Sequence, residues 1–199
     1  MNRVELKKDA KSKLKEYYAR SIVVVLLWGI IFIISIFLEF RVPVLGKIIS
    51  WVLTCIFGFG YYNYFLKISR SEEATINDLW SLTNMGLKYF CVTFLKKLFI
   101  FLWTLLLIIP GYIASYSYRL AYYIILDDSD ISCMDAIKLS KELMNGYKKD
   151  LFILDLSFIL WIIASILTCG LLLLYVIPYM AITEANFYNY VINEYLEND

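Results

Sequence analysis

The stretch Leu156–Thr183 reads LSFILWIIASILTCGLLLLYVIPYMAIT: 28 residues without one charged side chain. As a helix it would be about 42 Å long at 1.5 Å per residue. The hydrocarbon core of a bilayer takes only about 20 residues. The stretch is therefore one long bent span, or two spans folded back at Gly170, and that choice decides the fold.

Three further charge-free stretches bear on it: Ser21–Leu38 with 18 residues, Ile48–Leu66 with 19 and Leu98–Tyr118 with 21. Apolar residues make up 61% of the 199, and mean hydropathy is +0.66. A soluble domain carries about 45–50% apolar residues, so these values point to an all-α integral membrane protein forming a single domain over residues 1–199. The chain has no histidine, which excludes His-based acid–base catalysis, Ser-His-Asp triads and His-ligated metals. A net charge of +1 offers no basic field for nucleic acid.

Seven Lys and Arg lie within residues 1–20, and no small-residue cleavage site follows. These charges place the N-terminus in the cytoplasm and argue against a cleaved signal peptide. Leu6, Ala10, Leu14 and Tyr17 fall on one helical face. Residues 3–19 are expected to form an amphipathic helix lying on anionic lipid of the bilayer surface; a solvated basic tail is the other reading.

The punctuation repeats. Thr75-Ile-Asn-Asp78 and Ser132-Cys-Met-Asp135 both resemble capping boxes with Asp in place of Glu. Each precedes a short amphipathic segment ending at a glycine, Gly86 or Gly146. After each glycine, 23 residues lead to a breaker, Pro110-Gly111 or Gly170, and then to a second apolar segment. The N-terminal third follows the same plan around Pro43. The chain thus divides into pseudo-repeats 1–68, 69–130 and 131–199. Each unit is an interfacial helix followed by a transmembrane hairpin, giving six spans: about 21–40, 44–66, 87–109, 111–126, 147–169 and 171–191. The alternative has four spans, with 98–126 and 151–183 each a single long helix. Both put the two termini in the cytoplasm; they differ over the side on which Asp127–Asp150 lies.

Several stretches carry a family resemblance: LLLIIPG (Leu105–Gly111), YYIILD (Tyr122–Asp127), AIKLSKELMNG (Ala136–Gly146), LFILDLSFILW (Leu151–Trp161) and PYMAITEANFY (Pro178–Tyr188). Together they resemble the bacterial integral-membrane family named domain of unknown function 975. More distantly, Ser140, Leu143 and Gly146 are similar to a helix in the membrane domain of some bacterial glycerophosphodiester phosphodiesterases. The resemblance implies a multi-pass protein of the bacterial cell membrane and supplies no catalytic residue or cofactor.

Charges inside spans are costly and mark candidate sites. Here they are Lys96, Lys97, Arg119, Asp155 and Glu184. With six spans, all lie about 10–14 Å from the cytoplasmic end, forming one polar layer of the inner leaflet in which Arg119 is expected to pair with Asp155 or Glu184 around a pocket open to the cytoplasm. Three uses are open: a structural ion pair with snorkelling lysines, a proton- or ion-coupled pathway, or a pocket for a lipid headgroup or small anion. Tyr112, Tyr116, Tyr118, Tyr122 and Tyr123 form a pocket wall or simply pack. Pro110, Gly111, Gly170 and Pro178 are candidate hinges or plain turns. Of the cysteines, Cys55, Cys91 and Cys169 fall in expected spans, leaving Cys133 as the water-accessible thiol. No nucleophile motif, metal site or phosphate loop is present. The sequence therefore reads as a non-enzymatic accessory, assembly or envelope-homeostasis factor with a membrane-protein partner, or as a small transporter or lipid- or anion-binding protein.

Overall fold

The computed structural model describes residues 2–198, without the side chains of Cys55, Ile56, Thr83 and Asn198. Every regular element among the described residues is a helix, with no strand. Helix α1 is Arg3–Arg41, 39 residues and about 58 Å long. Its start is capped by Asn2, whose side-chain oxygen accepts from the Glu5 N–H. Nothing between Arg3 and Arg41 breaks it, because the segment holds no proline and one glycine, Gly29. The expected separate helix at 3–19 is therefore the first part of the same rod. Its apolar face is covered by protein: Ala10 and Leu14 are buried in the core, and Asn186 donates to the Leu6 carbonyl and to Asp9.

The break at Pro43 occurs where the sequence puts it. Val42 leaves the helical region, and Pro43 opens helix α2 (Pro43–Ser69), where its missing N–H costs nothing. Helix α3 (Asp78–Ser81) and a 3-10 turn (Thr83–Met85) follow. Here the capping box is half realised: Asp78 reaches back to the Thr75 N–H at 2.7 Å, but Asn77 occupies the cap. The amphipathic helix expected in this unit is one turn long. Gly86, expected as the glycine that ends it, instead begins helix α4 (Gly86–Leu106).

Helix α5 (Ile108–Ser117) folds back on α4 at Leu107, three residues before the expected breaker. Pro110 sits in the first turn of α5, whose N–H groups have no intrahelical acceptor, so the helix accommodates it. Gly111 allows the close return: a Cβ there would come within 2.8 Å of the Thr104 Cα. Helix α6 (Ala121–Asp127) continues the α5 segment after a break at Tyr118–Leu120.

Helix α7 (Cys133–Leu143) is capped as expected: the Asp135 N–H donates to Ser132 Oγ at 3.1 Å. Gly146 lies beyond its end at φ +90°. Helices α8 (Lys148–Leu156) and α9 (Ile159–Leu167) are two parts of one rod, interrupted at Ser157–Phe158. Gly170, at φ +86°, turns the chain into helix α10 (Leu173–Asn198). That conformation suits glycine, and the turn separates the halves of the 28-residue apolar stretch. Pro178 forms no turn; it lies inside α10.

Among the described residues, four stretches are long and apolar enough to cross a membrane: Arg3–Arg41, Pro43–Ser69, Gly86–Leu106 and Lys148–Leu167. Helix α1 packs on α2 and α10, and α2 packs on α4 and α10. Ion pairs join the ends of several rods. Arg3 contacts Asp150 at 3.3 Å, and Arg70 binds both oxygens of Asp127 at 2.7 Å. Arg70 also donates to Asn189 at 3.1 Å.

Candidate functional site

Arg119 stands in the gap between α5 and α6, where the backbone leaves the helix. Such a gap orphans backbone groups that cost free energy when buried. Ser140 of α7 satisfies two of them: its hydroxyl accepts from the Leu120 N–H at 3.2 Å and donates to the Ser117 carbonyl at 2.9 Å. Ser140 is fully buried. This contact holds the gap in place and with it the Arg119 backbone.

The guanidinium projects between α8 and α10. Nε and Nη2 donate to the two oxygens of Glu184, both at 2.9 Å. Nη1 reaches Asp155 Oδ2 at 3.4 Å. The same Asp155 oxygen accepts from the Tyr116 hydroxyl at 3.1 Å, and Tyr112 and Tyr116 join through their hydroxyls at 3.3 Å. A two-pronged arginine–carboxylate pair is among the stronger charge-assisted contacts. It fixes the side chain as well as neutralising it. The cavity between Arg119, Leu154, Asp155, Phe158 and Glu184 holds about 10 Å³. That is about the room needed for one water and no more.

The two lysines of the expected layer do not bond to this node, although Lys96 lies close enough to feel the charges of Glu184 and Arg119. The Lys96 ammonium lies 3.9 Å from the centre of the Tyr122 ring, which stacks on Tyr62 and Tyr89. It forms a cation–π contact and, among the described residues, no ion pair. Lys97 is exposed and faces the Trp51 ring at 5.8 Å. Of the expected layer, Arg119, Asp155 and Glu184 form one bonded node, Lys96 sits beside it on the aromatic stack, and Lys97 lies further out against Trp51. Of the tyrosines, Tyr112 and Tyr116 join the node. Tyr118 lies near Phe99, Tyr122 is in the stack, and Tyr123 stacks on Tyr188. Pro110 and Gly111 serve the α4–α5 return, and Gly170 serves the α9–α10 turn. Pro178 precedes Glu184 by six residues on α10.

Two polar clusters had no part in the sequence reading. Tyr188 donates to Asp127 at 2.6 Å, completing the Arg70–Asp127–Asn189 group. Lys67 pairs with Asp78 at 2.7 Å. Burial pushes the Asp78 carboxyl up, but the bonds from Lys67 and Thr75 outweigh it and hold the group below the usual carboxylate range. The signal for both lay in position: each joins charges that flank apolar stretches, at depths the span assignment makes similar.

The cysteines also differ from expectation. Cys169 is exposed in the α9–α10 turn, whereas Cys133 is half-buried. Cys91 is half-buried as well, and the side chain of Cys55 lies outside the described residues.

A family model described as "Protein of unknown function (DUF975)" matches residues 1–114 and 104–194. No curated protein and no solved structure matches the chain, so the more distant similarity to phosphodiesterase membrane domains has no match behind it.

Proposed function

Because the chain belongs to the DUF975 family, matched over nearly all of its length and described only as of unknown function, we propose a reading from its geometry: a non-catalytic protein of the bacterial cell membrane, acting as an accessory, assembly or envelope-homeostasis factor. The observation that carries it is the closure of the Arg119 node. Each charged group there is bonded to another, and about 10 Å³ remains. A transport pathway or anion site needs a vacancy for its cargo. In this reading Arg119, Asp155 and Glu184 clamp α8 and α10 to the α5–α6 gap, and the protein works through a membrane-protein partner.

The proposed topology has six crossings, with α5–α6 the fourth and α10 the sixth. The Arg3–Asp150 and Arg70–Asp127 pairs support it, because they tie both ends of the 127–150 segment to the end of the bundle that holds the basic N-terminus. With four crossings, that segment would lie across the membrane from Arg3. The excess of Lys and Arg in residues 1–20 favours a cytoplasmic N-terminus. Lys8, Lys11 and Lys15 are exposed and available to anionic lipid.

The test uses a strain lacking the gene, in which the proposed role predicts a growth defect under envelope stress that the wild-type gene restores. The triple variant Arg119→Met, Asp155→Leu, Glu184→Met removes every charge of the node while keeping its bulk. A variant that melts like wild type and restores the phenotype fits an accessory role. A variant that folds equally well and fails to complement would overturn that role in favour of transport.

A further inference from the structure

Two sizeable cavities lie along the α1–α2 hairpin. One holds about 600 Å³ and is walled by Trp28, Phe32, Tyr61, Tyr62, Leu173 and Ile177. The next holds about 420 Å³ and shares Trp28, Phe32 and Thr54 with the first. The two therefore form one groove. These sizes and linings are those of small-molecule sites, which run from about 300 to 1,000 Å³ and are mostly apolar with a few placed polar groups.

The groove is asymmetric. Among the described residues its charged lining residues are Glu39 and Lys47, both at the end near the α1–α2 turn. They carry opposite charge, and among the described residues neither forms an ion pair. From Glu39 to Trp28 is eleven residues of helix, about 16 Å. One leaflet of hydrocarbon is about 15 Å deep. The groove thus offers one positive and one negative group at headgroup level and an apolar channel one leaflet long. Gly29 lines the inner end, where a Cβ would meet nothing within 4 Å, so a larger side chain there has room to occupy the chamber.

We propose that this groove binds one zwitterionic aminophospholipid, with its phosphate at Lys47, its primary ammonium at Glu39 and an acyl chain running past Phe32 to the aromatic chamber at Trp28 and Tyr61. A primary ammonium donates hydrogen bonds to a carboxylate, which a quaternary choline head cannot do. A glycerol head brings no cation to Glu39. The site is therefore selective for the ethanolamine head. The proposal does not rest on the role given to Arg119, and either can fail alone.

The whole protein, stripped of lipid in detergent, is titrated with phosphatidylethanolamine, phosphatidylcholine and phosphatidylglycerol of identical chains, and bound lipid is counted by native mass spectrometry. One phosphatidylethanolamine per chain is expected, retained about tenfold more tightly than the other two, the size of one charge-assisted hydrogen bond. Glu39→Gln is expected to erase that preference while lipid still binds. Gly29→Leu fills the chamber and favours the helix, and is expected to weaken all three lipids about tenfold. Equal retention of the three lipids by wild type, or undiminished phosphatidylethanolamine binding by a folded Gly29→Leu variant, overturns the proposal. Competition by glycerophosphoethanolamine as strong as by the intact lipid would also overturn it, by removing the role of the chain.

Discussion

Arg119 and Glu184, 65 residues apart in sequence, meet through two parallel hydrogen bonds of 2.9 Å, with 34% and 19% of their side chains exposed. Burying charges is costly, so the pair matters most when half of it is removed. Glu184→Met is expected to destabilise by about 3–5 kcal/mol, because Arg119 then keeps only Asp155. Arg119→Met together with Glu184→Met is expected to cost much less than the sum of the single changes. Thermal melts in one detergent measure this, and additive losses would exclude the clamp.

Ser140 bridges the backbone gap that holds Arg119. Ser140→Ala leaves the buried Leu120 N–H and Ser117 carbonyl without that partner, for an expected loss of about 1–3 kcal/mol. Ser140→Thr keeps the hydroxyl and is expected to restore the bonds where its methyl group fits. A Ser140→Ala protein as stable as wild type would mean that the gap is held by other contacts.

If the proposed topology of six crossings holds, Cys133 and Cys169 lie on opposite sides of the membrane. A membrane-impermeant maleimide is expected to reach Cys169 in intact cells and Cys133 only in inverted vesicles, with single Cys→Ser changes identifying each site. Modification of Cys133 in intact cells would establish four crossings.

The same reagent reports on the Cys133 environment. Burial, followed by the contact with Cys91, pushes the Cys133 thiol up to about 11. The thiolate is the reactive form, so labelling is expected to be slow at neutral pH and to rise about tenfold per pH unit up to that value. A rate that levels off near pH 8.5 would show an unperturbed thiol.

Asp78 links stability to acid. Its carboxyl is held lower in the folded protein than in the unfolded chain, so its contribution is complete above the unfolded value of about 3.9. That contribution is lost as pH falls through the folded value. Asp78→Asn is expected to lower the melting temperature at pH 7 and to shrink the gap from wild type as pH drops below about 4. A constant gap across that range would count against the Lys67 pairing.

The sequence by itself determined the helical membrane character, the break at Pro43, the Ser132 cap and the turns beyond Gly146 and Gly170. Each depends on chemistry within a few residues: a missing N–H, a hydroxyl near an orphan donor, a backbone at positive φ. The same local logic placed the α4–α5 break three residues late, because a proline can enter the first turn of a helix as readily as end one. It also separated residues 3–19 from the first span, although no residue there interrupts a helix. Only the tertiary structure decided what covers the Leu6–Leu14 face, which carboxylates surround Arg119, and that Lys96 rests on an aromatic stack while Lys97 faces Trp51. Depth along a helix can be read from residue counts. The direction in which a side chain points depends on how the rods rotate and pack against partners tens of residues away, and no local pattern encodes that rotation.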